Sequence, residues 1–278
     1  MMRLTLNNII LWTILIGIFF IPFNSWSGIG FLGEYYRDSC FLFFSFAFVL
    51  TLLKKRIQIP LNNLIFQFLI LFILWSFLAT LLNAHNILDY YFKQTTGVSR
   101  FINQFGSLII ASLIIPLTFY NGFKKTNINN IFRLIRSVIL ASLIIAFIYS
   151  IIEILIVKLN MIYLKKPLLN LFDYFPFTEA KTDMRLQRIS SVTFEPPALG
   201  TYLLSIAGWM FSYVLTEKNK LKYLPLLIVL FLGFMSGSRA AFFAIIIQFL
   251  IALVFFLKHK NTSKNIYKVL LGFSVIFM

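Results

Sequence analysis

The sequence is poor in the residues that build disulfides, metal sites and charged surfaces. Among its 278 residues there is one cysteine, Cys40, so no intramolecular disulfide can form. The two histidines, His85 and His259, are far apart in the chain, and we predict no metal site. Only 12% of the residues are charged, and nine acidic side chains stand against 25 basic ones.

Apolar residues dominate the composition instead. Hydrophobic types make up 60% of the chain, phenylalanine alone contributes 34 residues, and the mean hydropathy is +0.88. A soluble protein of this length could not bury so much apolar surface, because too few polar residues would remain to cover it. Backbone groups in lipid must be paired within their own segment, and long barrel-type alternation is absent. We therefore predict an all-α, polytopic bundle of transmembrane helices.

Long apolar runs predict eight or nine membrane spans. A bilayer core about 30 Å thick requires roughly 20 apolar residues per helix. The predicted spans are 7–23, 39–53, 61–82, 102–120, 137–157, 197–216, 221–238 and 240–257, with a ninth beginning near 266. The sequence ends inside this last run, so we expect a single integral membrane domain over 1–278 that is truncated at its C-terminus.

The basic residues predict the orientation of these spans. If the N-terminus lies in the cytoplasm, most of the 25 lysine and arginine residues fall in cytoplasmic connections, as the positive-inside rule requires. The exception is the extracytoplasmic loop 158–196, which is also rich in basic residues. Because the net charge of +16 is explained in this way, we predict no binding to nucleic acid.

Two connections are long enough to have structure of their own. The outer loop 158–196 is too small to build a separate core, so we expect it to lie on the membrane surface as part of a site. Apolar and basic residues recur at helical spacing in 121–136, which predicts an interfacial helix on the cytoplasmic side.

The end of the outer loop carries charges that the orientation rule does not explain. Arg185 and Arg188 are followed by Phe194-Glu195-Pro196-Pro197. The prolines suit the first turn of a helix, and a carboxylate just before them suits its positive N-terminus. One interpretation is an ordinary helix start, in which Arg188 pairs with Glu195 or with lipid headgroups. The other is a binding site, because charges at the membrane are rare and often functional.

A second short motif, Gly237-Ser238-Arg239-Ala240, separates two predicted spans. Its small residues allow helices to approach closely and expose backbone N–H groups. The guanidinium of Arg239 would lie at the outer interface, where it offers bidentate donors to a phosphate. The alternative is an arginine that extends from a turn toward the membrane surface.

Together the two motifs resemble the O-antigen ligase and O-antigen polymerase family of bacterial envelope glycan assembly. The similar pattern is an arginine, then Phe-Glu-Pro leading into a helix, and later a Ser-Arg-small motif that opens another helix. In this chain these are Arg188, Phe194-Glu195-Pro196 and Gly237-Ser238-Arg239-Ala240, and the resemblance covers roughly 185–250.

The resemblance implies a glycosyltransferase of the GT-C type in the inner membrane of a bacterium. It would act at the outer face on glycans carried by undecaprenyl diphosphate, with no metal and no nucleotide-sugar cofactor. Arg188 and Arg239 would be catalytic and hold the diphosphate, and Arg185 and Ser238 would help to bind it. Glu195 is a candidate base by position. In ligases of this family the expected base is a histidine in a further outer loop, and this sequence ends before that loop.

Four functional hypotheses follow. The first is a polymerase that joins lipid-linked repeat units of O-antigen or capsule, with membrane lipids, a chain-length regulator and a flippase as further partners. The second is a ligase that transfers finished glycan to an acceptor. The third is a polysaccharide flippase or another transporter, against which we note that no internal repeat is visible. The fourth is a structural membrane subunit without chemistry.

Two further sets of charges are candidates. Lys93 and Arg100 lie in the second outer connection, where they would bind glycan or diphosphate or else anchor the chain at the interface. Glu153 lies within a predicted span near its outer end. It would serve as a proton relay or pair with a neighbouring lysine or arginine.

Overall fold

The computed structural model describes most of the chain and is almost entirely helical. The described residues are 5–29, 35–54, 57–92, 95–124, 126–161, 163, 170–179 and 187–259. These described residues form two compact units, of which the first lies within 1–142 and 170–180 and the second within 143–169 and 181–278.

The described residues of the first unit form six helices and one small hairpin. Its helices are α1 (Leu6–Phe19), α2 (Ser39–Leu52), α3 (Leu64–Leu82), α4 (Ala84–Leu88), α5 (Gly97–Ile109) and α6 (Ile115–Phe123). The antiparallel strands β1 (Tyr91–Phe92) and β2 (Thr95–Thr96) precede α5, and a 3₁₀ turn covers Asn170–Tyr174. Helix α7 (Ile128–Val157) follows α6, and the boundary between the two units falls within it.

Among the residues of the second unit that the structure describes, three further helices follow α7. They are α8 (Pro196–Thr216), α9 (Leu224–Met235) and α10 (Arg239–His259), with a 3₁₀ turn at Lys220–Tyr223 before α9. Helix α8 packs against both α9 and α10. Its buried face carries Leu199, Leu203 and Met210 at helical spacing.

Each predicted span within the described ranges coincides with a helix. Four helical segments of this part of the chain are long and apolar enough to cross a membrane, namely 64–82, 97–123, 128–157 and 196–216. The predicted all-α membrane protein is confirmed to that extent. Helices α1 and α2 have 14 residues each and α9 has 12, fewer than a straight crossing requires. The total of eight or nine spans and the GT-C architecture remain predictions, and the span from 266 lies outside the described residues.

Helix α3 shows why the chain needs an apolar solvent. Asn63 begins the helix by accepting a hydrogen bond from the N–H of Ile65 at 2.9 Å. All but three of the residues that follow are apolar, yet only Phe66 is buried, and Trp75 is 66% exposed. Such a surface would be unstable in water, so its exposed side chains are suited to contact lipid.

The helix over 97–123 contains a π-helical segment at Ile110–Ile114. Pro116 lies in the first turn of the helix that follows, α6. Proline has no N–H, and its ring collides with the carbonyl four residues earlier in a regular helix. A wider local turn relieves that collision without interrupting the helix.

The predicted interfacial helix over 121–136 is wrong. Its first residues, Asn121–Phe123, belong to the end of α6, and 128–136 form the beginning of the 30-residue helix α7. Neither Arg133 nor Arg136 ends a helix, because arginine is a good helix former. One continuous helix therefore includes the change from basic to apolar residues after Arg136.

One piece of the predicted loop 158–196, namely 170–179, folds within the first unit. Its aromatic rings pack against the residues that follow α1. The ring centroids of Phe23 and Phe175 are 4.9 Å apart, and those of Phe20 and Phe177 are 5.3 Å apart in an edge-to-face arrangement. The stretch 187–195 of the same loop belongs to the second unit.

Candidate functional site

The second unit brings the two sequence motifs together. The first motif includes residues 187–195, which we call the arginine loop. The second motif includes residues 236–239, which we call the Ser-Arg turn. A β-carbon placed on Gly237 would lie 3.0 Å from Cγ and 3.2 Å from Nε of Arg188. The side chain of Arg188 therefore packs directly on Gly237, two residues before Arg239.

The backbone of the Ser-Arg turn explains why glycine is needed there. Helix α9 ends at Met235, and Gly237 adopts a left-handed conformation with φ of +66°. A glycine in this conformation just after a helix is common, because it has no β-carbon to clash. Ser236 stabilises the turn, since its buried hydroxyl donates to the carbonyl of Gly233 at 2.8 Å and accepts from the N–H of Ser238 at 3.3 Å.

Helix α8 approaches the Ser-Arg turn closely through a second glycine. A β-carbon on Gly200 would lie 3.0 Å from Cβ of Ser238 and 2.8 Å from Cβ of Ala241. Only small residues fit at these three positions. The helix that begins at Pro196 and the helix that begins at Arg239 therefore start side by side.

Glu153 of helix α7 holds the arginine loop in place. Its carboxylate is 1% exposed and accepts from the backbone N–H of Ser190 at 3.0 Å and of Ser191 at 2.6 Å. The hydroxyl of Ser190 donates to the same carboxylate at 3.2 Å, and the hydroxyl of Ser191 donates to the carbonyl of Ala146 at 2.6 Å. Burying a carboxylate without hydrogen-bond donors would destabilise the fold, and so would burying the backbone N–H groups of the loop without an acceptor. The bonds between them satisfy both requirements.

The middle of the arginine loop is almost completely buried. Ile189 and Val192 are 0% exposed, and the intervening serines are also buried. The hydroxyl of Thr193 donates to the carbonyls of Ser190 at 2.7 Å and Glu195 at 2.9 Å, which closes the loop just before helix α8. The loop thus has a fixed interior, and its charged residues occupy its two ends.

Those charged residues are accessible. Arg239 and Glu195 are exposed, whereas Arg188 and Ser238 are half-buried. Glu195 occupies the cap position before α8, but its side chain makes no capping hydrogen bond. In the described part of the chain, neither Arg188 nor Arg239 forms an ion pair with a carboxylate, so the pairing of Arg188 with Glu195 that we considered is not observed.

The remaining predicted site residues are found elsewhere or are not described. Arg100 lies in α5 of the first unit and lines a cavity there. Lys93 and Arg185 lie outside the described residues. Within the described ranges, no group of three His, Cys, Asp or Glu side chains is arranged to hold a metal ion.

The role of Glu153 was missed by sequence reasoning. We expected a proton relay or an ion pair, but in the described residues Glu153 pairs with no lysine or arginine and binds backbone N–H groups instead. The available signal was a single carboxylate in an apolar helix, because such a buried group needs several hydrogen-bond donors from other parts of the chain. The two serines that supply them are adjacent in the sequence and follow Arg188 closely.

The arrangement is chemically suited to an anion. It combines a half-buried guanidinium, an exposed guanidinium at the first residue of α10, and the N-terminal ends of two helices. Helix N-termini and arginines both favour phosphate oxygens. An exposed carboxylate at Glu195 lies in the same motif and could accept a proton.

Comparison with known proteins does not identify a family for this chain. No protein-family model matches the chain, and searches of curated proteins and of solved structures found no significant match. The resemblance to the O-antigen ligase and polymerase family therefore depends on the two motifs themselves.

Proposed function

We propose that this protein is a metal-independent membrane glycosyltransferase that polymerises repeat units of O-antigen or capsule carried by undecaprenyl diphosphate. The observation that carries the proposal is the packing of Arg188 on Gly237, because it joins two motifs that are distant in the sequence. Arg188 thus packs on a residue two positions before Arg239, which supports a shared role for the two arginines.

The proposed reaction is the transfer of a growing glycan to the next repeat unit. The bond between the anomeric carbon and the diphosphate oxygen breaks, and a hydroxyl oxygen of the acceptor sugar forms the new bond. Undecaprenyl diphosphate leaves with the bonding electron pair and gains negative charge. Preorganised guanidinium groups stabilise charge that develops in this way, and this is the role we assign to Arg188 and Arg239.

The acceptor hydroxyl must lose a proton in the same step. Glu195 is the candidate base, because it is exposed and directly precedes helix α8. Glu153 is not suited to this role, since its two oxygens accept hydrogen bonds from the loop backbone. Ser238 would donate a hydrogen bond to the diphosphate beside Arg239.

We place the protein in the inner membrane of a bacterium with its N-terminus in the cytoplasm. In this orientation the arginine loop and the Ser-Arg turn face outward, where lipid-linked repeat units arrive after a flippase has moved them. The proposed partners are lipid-linked glycan, membrane lipids, a chain-length regulator and that flippase. The support is the distribution of basic residues in the sequence.

Replacing Arg239 in the native strain tests the function. Arg239→Ala should abolish long glycan chains and leave single repeat units on the lipid acceptor, because the guanidinium that stabilises the leaving diphosphate is lost. The fold should remain intact, since this arginine is exposed. The matched control is Arg133→Ala, an exposed arginine at the beginning of α7 on the opposite side of the proposed topology. Protein levels are compared by the fluorescence of a fused reporter.

The glycan pattern also separates the alternatives. An unchanged ladder in Arg239→Ala at normal protein level contradicts any glycosyltransferase role for these two motifs. Long chains that accumulate on undecaprenyl diphosphate identify a ligase instead of a polymerase. Lipid-linked units that remain on the cytoplasmic side identify a flippase.

A further inference from the structure

The first unit contains a cavity of about 380 Å³ at one end of α3 and α5. It is lined by side chains of the last turn of α3, of α4 and of the first two turns of α5. The lining residues with hydrogen-bonding groups or aromatic rings are Thr80, Asn86, Tyr90, Arg100, Phe101 and Gln104. The volume falls within the usual range for small-ligand sites, roughly 300–1,000 Å³.

Short-range contacts fix the wall formed by residues 84–92 and 95–97. The N–H of Gly97 donates to the carbonyl of Tyr90 at 2.8 Å, which closes the β1–β2 hairpin. A β-carbon on Gly97 would collide with the carbonyl oxygen of Ile87, so only glycine allows α5 to approach α4 this closely. The hydroxyl of Thr96 then caps α5 by accepting from the N–H of Ser99 at 3.3 Å.

The position of the cavity along α5 indicates an aqueous opening. The first two turns of α5 carry Ser99, Arg100, Asn103 and Gln104, whereas the residues from 108 to 117 are almost all apolar. Polar side chains facing hydrocarbon would lose their hydrogen bonds to water, so this end of the helix belongs at the membrane surface. In the proposed topology it is the outer surface.

The lining has the chemistry that recognises sugars. The side-chain amides of Asn86 and Gln104 each offer both a donor and an acceptor, which matches the hydroxyl groups of a pyranose. Within the part of the chain that the structure describes, neither amide is engaged by another residue. The rings of Tyr90 and Phe101 provide apolar faces for the C–H groups of a sugar ring. The guanidinium of Arg100 adds a donor for a hydroxyl or for the carboxylate of an acidic sugar.

We propose that this cavity is a carbohydrate-binding subsite that holds one or two sugar residues of the glycan. The inference rests on the proposed function, and it adds a second binding site in the first unit. The subsite carries out no bond-making step. It retains the glycan between successive additions, so that weaker binding yields shorter chains without loss of polymerisation.

Binding is measured with the purified full chain in nanodiscs. The probe is the strain's own surface polysaccharide, released from lipid by mild acid and separated into fragments of one to three repeat units. Saturation-transfer NMR reports contact with the sugar protons, and a titration gives the dissociation constant. We expect Gln104→Ala to weaken binding roughly tenfold, because one or two hydrogen bonds are lost. Phe101→Leu, which keeps an apolar side chain for packing, should weaken it to a similar extent.

The matched control is Asn103→Ala, one residue away on α5 and outside the cavity lining. The proposal is overturned if Gln104→Ala and Phe101→Leu bind as well as the wild type, or if Asn103→Ala weakens binding equally. It is also overturned if glycerol phosphate displaces the oligosaccharide, since the cavity would then bind lipid headgroups. In cells, Gln104→Ala should shorten the ladder that Arg239→Ala abolishes. An intact ladder in Arg239→Ala contradicts the proposed function, whereas the binding assay still decides the subsite.

Discussion

Glu153 and Ser190 are joined by three hydrogen bonds, two from the backbone N–H of Ser190 and one from its hydroxyl to the buried carboxylate. This link connects the long apolar helix α7 to the arginine loop, which contains Arg188. Because Arg188 in turn packs on Gly237, the carboxylate helps to hold the arginine loop beside the Ser-Arg turn.

Replacing this carboxylate by an amide should loosen the loop. In Glu153→Gln, one acceptor oxygen is exchanged for an NH₂ group that faces hydrogen-bond donors of the loop, so at least one of the hydrogen bonds to this side chain is lost. We expect the free energy of unfolding to decrease by about 1–3 kcal/mol, measured by thermal denaturation in detergent. Glu195→Gln, at an exposed position of the same loop, should leave the melting temperature unchanged.

A double variant distinguishes positioning from a general effect on stability. If Glu153 acts through Arg188, then Glu153→Gln alone should reduce glycan polymerisation. Combined with Arg188→Ala, it should add little to the defect of Arg188→Ala alone. Glycan ladders at equal protein level provide the measurement. Additive defects would show that the two residues act independently.

Gly237 should not tolerate a β-carbon. Its left-handed backbone disfavours other residues, and the added atom would meet Arg188 at 3.0 Å. We expect Gly237→Ala to destabilise the protein by about 1–2 kcal/mol and to displace Arg188. Gly208→Ala is the control, because this helical glycine has its nearest neighbour at 3.5 Å. A neutral Gly237→Ala variant would contradict the described turn.

Gly200 is expected to be a packing glycine that a compensating change can rescue. In Gly200→Ala the new β-carbon would lie 2.8 Å from Cβ of Ala241, which forces α8 and α10 apart at a cost of about 1–3 kcal/mol. Adding Ala241→Gly should recover part of that stability in the same thermal assay. Gly106→Ala, where no atom lies within 4 Å, should be neutral or stabilising.

Asp38 should make stability depend on pH. Burial raises the pKa of this carboxyl group, and a hydrogen bond from the side chain of Asn24 at 3.4 Å only partly opposes the shift. The folded state therefore binds the proton more tightly than the unfolded state, and stability decreases as the pH rises above about 4. Asp38→Asn should remove this decrease and melt higher than the wild type at neutral pH. Equal melting curves from pH 4 to pH 8 would contradict the prediction.

The helices were predictable because apolar runs long enough for a membrane leave few alternatives. The prediction was wrong at 121–136, where we expected a separate interfacial helix, although one helix continues through Arg133 and Arg136. The π-helical segment was not predicted, yet Pro116 within an apolar run was a usable signal.

The site was predictable only in part. The resemblance indicated that Arg188 and Arg239 act together, but no local pattern could show that Gly237 is the residue on which Arg188 packs. The hydrogen bonds from Ser190 and Ser191 to Glu153 could not be predicted either. Helical periodicity indicates which residues share a face, but it does not indicate which distant loop packs against that face. Arg100 was identified as a candidate, whereas the cavity around it required the fold.

The bonds to Glu153 also constrain how this sequence can vary among relatives. Most of them come from backbone N–H groups, which any residue except proline provides. Positions 190 and 191 should therefore accept many small residues but not proline, while position 153 should remain a carboxylate. A relative that has lost the acidic residue should show a compensating change in the loop, so the two positions are expected to vary together.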